Sequence, residues 1–186
     1  MERAAQVFNQ QGYAGSSFDD LMRETGLKKG GIYNHFRSKD DLALKAFDYS
    51  VDAVWQRIEA EVKGKHNAIE RLQGMLEGYR QVIEDPPITG GCPILNTAIE
   101  SDDTHLGLRE RARTAMTNWR AWITRWVERG IAAGEIRPHI EGERLATLLI
   151  SMVEGGVMMS KLYDDPTYIR QTVAYLSSYL EREVRA

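Results

Sequence analysis

Apolar residues recur along the chain three and four positions apart, and no stretch alternates apolar with polar residues for long enough to make a strand. The spacing of Phe47, Val51, Val54, Trp55, Ile58 and Val62, following Leu42 and Leu44, predicts one long helix from Lys39 to Val62, ended by Gly64. Ile69, Leu72, Leu76, Tyr79 and Ile83 predict the next helix, which must stop before Asp85-Pro86-Pro87 because proline restricts the residue before it and has no N–H to donate. Ile88-Thr89-Gly90-Gly91 then reads as a loop, and Pro93 as the first residue of a short helix with Cys92 at its cap. A long helix follows over residues 105–133, closed by Gly134, with Met116, Trp119, Trp122, Ile123, Trp126 and Ile131 at helical spacing. Two further helices carry Leu145, Leu149, Met152, Val153 and Val157, and then Ile169, Val173, Leu176 and Leu180 after an Asp-Asp-Pro turn.

The N-terminal pattern is shorter and more specific. Ser17 is placed to cap a helix whose first turn holds Asp19 and Asp20, where carboxylates oppose the positive end of the helix dipole. Leu21 and Met22 point inward, Gly26 permits the left-handed residue that ends the helix, and Leu27 is expected to plug the angle to the next one. That second helix runs only from Lys28 to Asn34, too short to stand alone, so Ile32 and Phe36 must hold it by packing. Gly30 and Gly31 each cost about 1 kcal/mol relative to alanine in a helix, which suggests that a phosphate or base edge comes close to the backbone there.

Charge sharpens this picture. The net charge is −3, yet Lys28, Lys29, Arg37 and Lys39 give +4 over residues 28–39 with no acid among them. Sequence-independent affinity for DNA comes from neutralising phosphates, so the basic charge is focused where a DNA contact would need it. At 186 residues and 42% apolar content, the chain has room for one small module and one larger helical core. No run of 18 apolar residues and no leader-like start argues for a membrane, and a single cysteine fits a reducing compartment, so the chain reads as cytoplasmic. His35, His66, His105 and His139 are scattered without metal-ligand spacing, and neither a nucleophile elbow nor a phosphate-binding loop occurs. Neither an enzyme, a metal nor a cofactor is expected.

Phe8, Gly12-Tyr13, Ser17, Gly26-Leu27, Lys29-Gly30, Ile32-Tyr33, His35-Phe36, Lys39 and Leu42 fall in an order and spacing that resembles the TetR family of transcriptional regulators over about the first 46 residues. The resemblance implies an all-α chain with a three-helix, helix-turn-helix DNA-binding domain at residues 1–46 (motif 17–36). A helical ligand-binding and dimerisation domain would follow at residues 47–186. It implies that Lys28, Lys29, Gly31 and Asn34, with Gly30 beside them, face the major groove. Ser17, Tyr33, His35 and Lys39 would hold the phosphate backbone, with Phe36, Ile32 and Leu21 as core. The sequence departs from the family's usual pattern at its start, where Met1 already lies in the first helix, and at Gly31, where a contacting side chain is commoner. The implied function is a regulator, most often a repressor, released from a palindromic double-stranded operator by a small apolar or electrophilic effector. A sensor of the same fold that has lost DNA binding stands as the alternative.

The C-terminal part carries a weaker signal. Trp55, Tyr79, Met116, Trp119, Trp122 and Met152 offer adaptable apolar surface, and Asn96 is a polar group among apolar neighbours, so these are candidate effector-binding residues. Ordinary core packing accounts equally for such a stripe. Cys92 at a helix cap would have its thiol pKa lowered by the dipole, and its segment resembles one in family members that respond to electrophiles; burial would make it inert. Gly155-Gly156 with Tyr168, Tyr175 and Tyr179 suggests a homodimer through the last two helices, with Glu154 at the rim.

Overall fold

The computed structural model describes residues 1–186, which form nine α-helices and a closing π-helical turn. These are α1 (Glu2–Gly15), α2 (Phe18–Thr25), α3 (Lys29–Tyr33), α4 (Lys39–Val62), α5 (Ala68–Glu84), α6 (Pro93–Ser101), α7 (Leu106–Ala132), α8 (Gly142–Tyr163) and α9 (Thr167–Tyr179), with the π turn at Leu180–Val184. There are no strands, and one isolated bridge joins Ile136 to Arg185. The helix ends fall where the sequence places its stops. Gly64 at φ 83° follows α4, Gly134 at φ 71° follows α7, and Pro93 opens α6 behind Cys92.

Two compact units emerge, Met1–Val54 with Pro87–Ala115, and Trp55–Pro86 with Met116–Ala186. In this grouping α6 joins the N-terminal helices. In the first unit, Ala4, Val7, Leu21, Ile32 and Leu42 form a buried cluster flanked by Phe8, Phe18, Met22 and Phe36. Leu21, Ile32 and Phe36 thus pack as expected. Leu27 does not: it is 45% exposed, because the short α3 is anchored through Ile32 and Phe36 and leaves the turn residue outside.

In the second unit, α5 lies against α4 so closely that a Cβ at Gly74 would come within 2.9 Å of the Glu61 carbonyl oxygen, and one at Gly78 within 2.8 Å of Ile58 Cα. Ile58, Ile69, Leu72, Leu76, Ile123 and Leu149 are fully buried there. By length and composition alone α8 could cross a membrane, but half of its most apolar window is buried inside the protein. A Cβ on Gly156 would meet Thr172 Oγ1 at 2.8 Å, so this glycine lets α9 approach α8, whereas nothing lies within 4 Å of a Cβ on Gly155. Glu154 is only 7% exposed, which corrects the expectation that it sits at a rim: the helix turn that carries it faces inward with Val153 and Val157.

Candidate nucleic-acid interface

Ser17 caps α2 as its position requires. Its hydroxyl accepts the Asp20 N–H at 3.1 Å and donates to Asp20 Oδ2 at 2.6 Å, while that carboxylate accepts the Ser17 N–H at 2.9 Å. This reciprocal box, followed by Arg23 at 2.7 Å from Asp20 Oδ1, pulls the Asp20 carboxyl down to about 2; the Ser17 hydroxyl contributes most. Gly26, at φ 72°, ends the helix by donating its N–H to the Met22 carbonyl at 2.9 Å.

The turn delivers Lys28 to the N-cap of α3 and Asn34 to its C-cap. Ile32 is buried, and the remaining surface of α3 faces outward: Lys28, Lys29, Gly30, Tyr33, Asn34 and His35 are all exposed, and Gly31 is half-buried. A Cβ on Gly30 would meet nothing within 4 Å, and one on Gly31 only Leu27 at an ordinary 3.8 Å. Neither glycine is demanded by contacts inside the protein. Tyr33 stacks on Phe18 with centroids 5.2 Å apart, and the Lys29 ammonium lies 5.5 Å from the Phe18 ring centre, so one aromatic residue of α2 steadies two outward side chains of α3. Phe18 was not singled out from the sequence, since a partly buried aromatic after a cap looks like any core residue.

Lys39 has a different setting from its neighbours. Its ammonium donates to the Tyr13 carbonyl at 2.6 Å and sits 4.3 Å from the Tyr13 ring centre. The Tyr13 hydroxyl donates to Asp40, and burial, assisted by that carboxylate, pushes its pKa up to about 12. One of the three Lys39 N–H groups is thus engaged inside the protein, and the side chain is half-buried.

The candidate effector residues divide between the units. Cys92 and Asn96 lie in the first; Trp55, Tyr79, Met116, Trp119, Trp122 and Met152 lie in the second. Asn96 serves structure, donating through Nδ2 to the Gly90 carbonyl at 2.8 Å and to Asn9 Oδ1 at 3.1 Å. Cys92 is 3% exposed. In the second unit the rings gather: Trp119 stacks on Tyr79 with centroids 4.6 Å apart, Trp55 meets Trp119 and Trp122 edge-on at 5.9 and 5.3 Å, and Trp122 tilts against Trp126 at 4.2 Å. Trp119 Nε1 also donates to Met75 Sδ at 3.5 Å. Trp119 and Tyr79 are core, whereas Trp55, Trp122, Met116 and Met152 are half-buried. No group of three or more His, Cys, Asp or Glu residues is placed to hold a metal ion.

Residues 1–46 match the family model for bacterial regulatory proteins of the tetR family, and residues 68–176 match the model of the tetracyclin repressor-like C-terminal domain. The chain belongs to the TetR family. A TetR transcriptional regulator from Chloroflexus aurantiacus J-10-FL is 45% identical and superposes with a TM-score of 0.95 over 99% of this chain and 93% of that one. A TetR-family transcriptional regulator from Cytophaga hutchinsonii is 34% identical, with a TM-score of 0.86 over 97% and 90% of the two chains. Among curated proteins, the HTH-type transcriptional regulator YxaF of Bacillus subtilis (strain 168) is 27% identical over 169 residues, 90% of this chain and 85% of that one. As a TetR-family member the chain is a DNA-binding transcriptional regulator, and its family is not enzymatic.

Proposed function

We propose that this regulator is a repressor that binds a palindromic operator as a two-fold dimer through its last two helices and is released by a small, largely apolar effector. The outward face of α3 carries the reading: Lys28, Lys29, Tyr33 and Asn34 are exposed together, over a helix whose Gly30 leaves its backbone open to a close visitor. Lys29 and Asn34 read base edges, because an amide at the end of a short helix can pair bidentately with adenine and a lysine with guanine. Ser17, Tyr33, His35 and Lys39 position the protein on phosphates. The half-buried Trp55, Trp122, Met116 and Met152 are the residues against which an apolar effector would pack. Burial of Cys92 favours this apolar effector over an electrophile. Selection of bound duplexes from a random pool tests the proposal: a palindromic motif with half-sites about 34–36 Å apart or a multiple is the expected outcome. Recovery of no motif at low salt would leave the same fold acting without DNA.

A further inference from the structure

The end of α6 reaches α1 where α1 breaks. Gly12, at φ 75° and ψ 170°, leaves helical backbone, so the N–H groups of Tyr13 and Ala14 lose their partners one turn back. The Glu100 carboxylate accepts both, each at 2.9 Å. It also fills the space over the glycine: a Cβ at residue 12 would lie 2.5 Å from Glu100 Oε1. One turn earlier, Asn9 Nδ2 donates to the Thr89 and Gly91 carbonyls at 2.9 and 3.0 Å, and Asn96 Nδ2 donates to the Asn9 carbonyl at 3.2 Å. Amides therefore tie the start of α6 to α1, and a carboxylate ties its end. Past the break the chain runs through Ser16 and Ser17 into α2 and α3, so the direction in which the reading helix leaves α1 is set at Gly12.

We infer that Glu100 is a positioning residue for operator recognition, fixing α2 and α3 relative to α6 by holding the break in α1. This deepens the DNA-binding reading above and rests on it. A carboxylate bonded to two backbone N–H groups is a charge-assisted contact, and removing one such contact shifts an equilibrium by about tenfold.

The test compares full-length wild type, Glu100→Gln and Glu100→Ala on the selected operator and on versions with one base pair inserted or deleted between half-sites, alongside amide exchange at Tyr13 and Ala14. The Ala variant is expected to lose about tenfold on the native spacing, to discriminate spacings far less than wild type, and to exchange both amides faster. The Gln variant, which keeps one neutral acceptor, should fall between. A variant that is merely less stable would lose affinity equally at every spacing, so an unchanged spacing profile with unchanged exchange overturns the inference. If the Ala variant does not fold, the Gln variant decides on the same two readouts. Failure of the DNA-binding reading is separate: wild type would then yield no operator, while exchange at residues 13 and 14 still decides whether the latch exists.

Discussion

At the first turn of α2 a single carboxylate answers to the Ser17 hydroxyl, the Ser17 N–H and Arg23, and its acidity measures whether the cap is formed. Asp20 falls from its ordinary 3.8 to about 2, so its contribution to folding is present above the ordinary value and is lost as pH drops through about 2. An NMR titration of the Asp20 carboxyl should find that midpoint, and Ser17→Ala should raise it toward the ordinary value while costing the helix about 1 kcal/mol; an unmoved midpoint would mean that the residue 17 N–H and Arg23 set it without the hydroxyl. The two roles proposed for α3 and its neighbours separate by a second pair of variants. Asn34→Ala should cost about 1–3 kcal/mol on the operator and flatten the preference at one base position per half-site, leaving non-specific binding intact. Lys39→Ala should weaken operator and unrelated DNA alike and lower the salt slope by about one. It should also lower the melting temperature, because the Tyr13 carbonyl and ring lose their cation. Equal losses and equal slopes in both variants would remove Asn34 from the groove. Ser17 was legible from its spacing to Asp20 because capping is a local rule. The exposure of Leu27 and the inward bond of Lys39 were not, since the first depends on how α3 seats against its core anchors and the second on how the start of α4 meets α1.

Among the elements, helix boundaries were legible wherever a proline opens a helix or a left-handed glycine follows one, as at Pro93, Gly64 and Gly134. Membership of a unit was not: Glu100 is 87 residues from Tyr13, and no periodicity links a carboxylate in one helix to a break in another. The same holds for the aromatic cluster, whose spacing revealed a buried stripe but not that Trp119 and Tyr79 would stack. The near contact of α5 with α4 gives the sharpest element-level expectation. Gly78→Ala places a methyl 2.8 Å from Ile58 Cα, a backbone atom that cannot yield as a side-chain tip would. Overpacking of this kind costs about 1–3 kcal/mol, more than alanine gains in helix propensity, so chemical denaturation should show a net loss. A gain would mean that α5 shifts freely along α4. Ion pairs reinforce α5 from its exposed side. Arg80 pairs with Glu77 and Glu84, and Glu84 takes Arg170 of α9 at 2.6 Å, which holds both carboxyls below their usual range. Their support is therefore lost as the solution is acidified.

For the whole molecule the decisive surface is the open side of α8 and α9, where Met158, Met159, Leu162, Tyr163 and Tyr175 are exposed and a Cβ on Gly155 would meet nothing within 4 Å. Large apolar side chains gathered on one face mark an interaction site, and in the proposed dimer a two-fold partner presenting the same face would cover them with their equivalents. Leu162, at 71% exposed, touches little inside the chain, so Leu162→Glu should leave the fold intact while placing two carboxylates in a dry interface. Sedimentation should then report monomer at micromolar concentration. Operator affinity should fall by about 10²–10⁴, since two half-sites are no longer engaged together. Gly155→Ala supplies the complementary sign. In the monomeric Leu162→Glu background the alanine should stabilise α8 by about 1 kcal/mol, because the added methyl has open space and glycine is the poorer helix former. In the dimer the same methyl should destabilise, because it enters the gap through which the partner's backbone approaches. Stabilisation in both backgrounds would place the dimer contact away from Gly155, and a Leu162→Glu protein that stays dimeric would place it away from this face altogether.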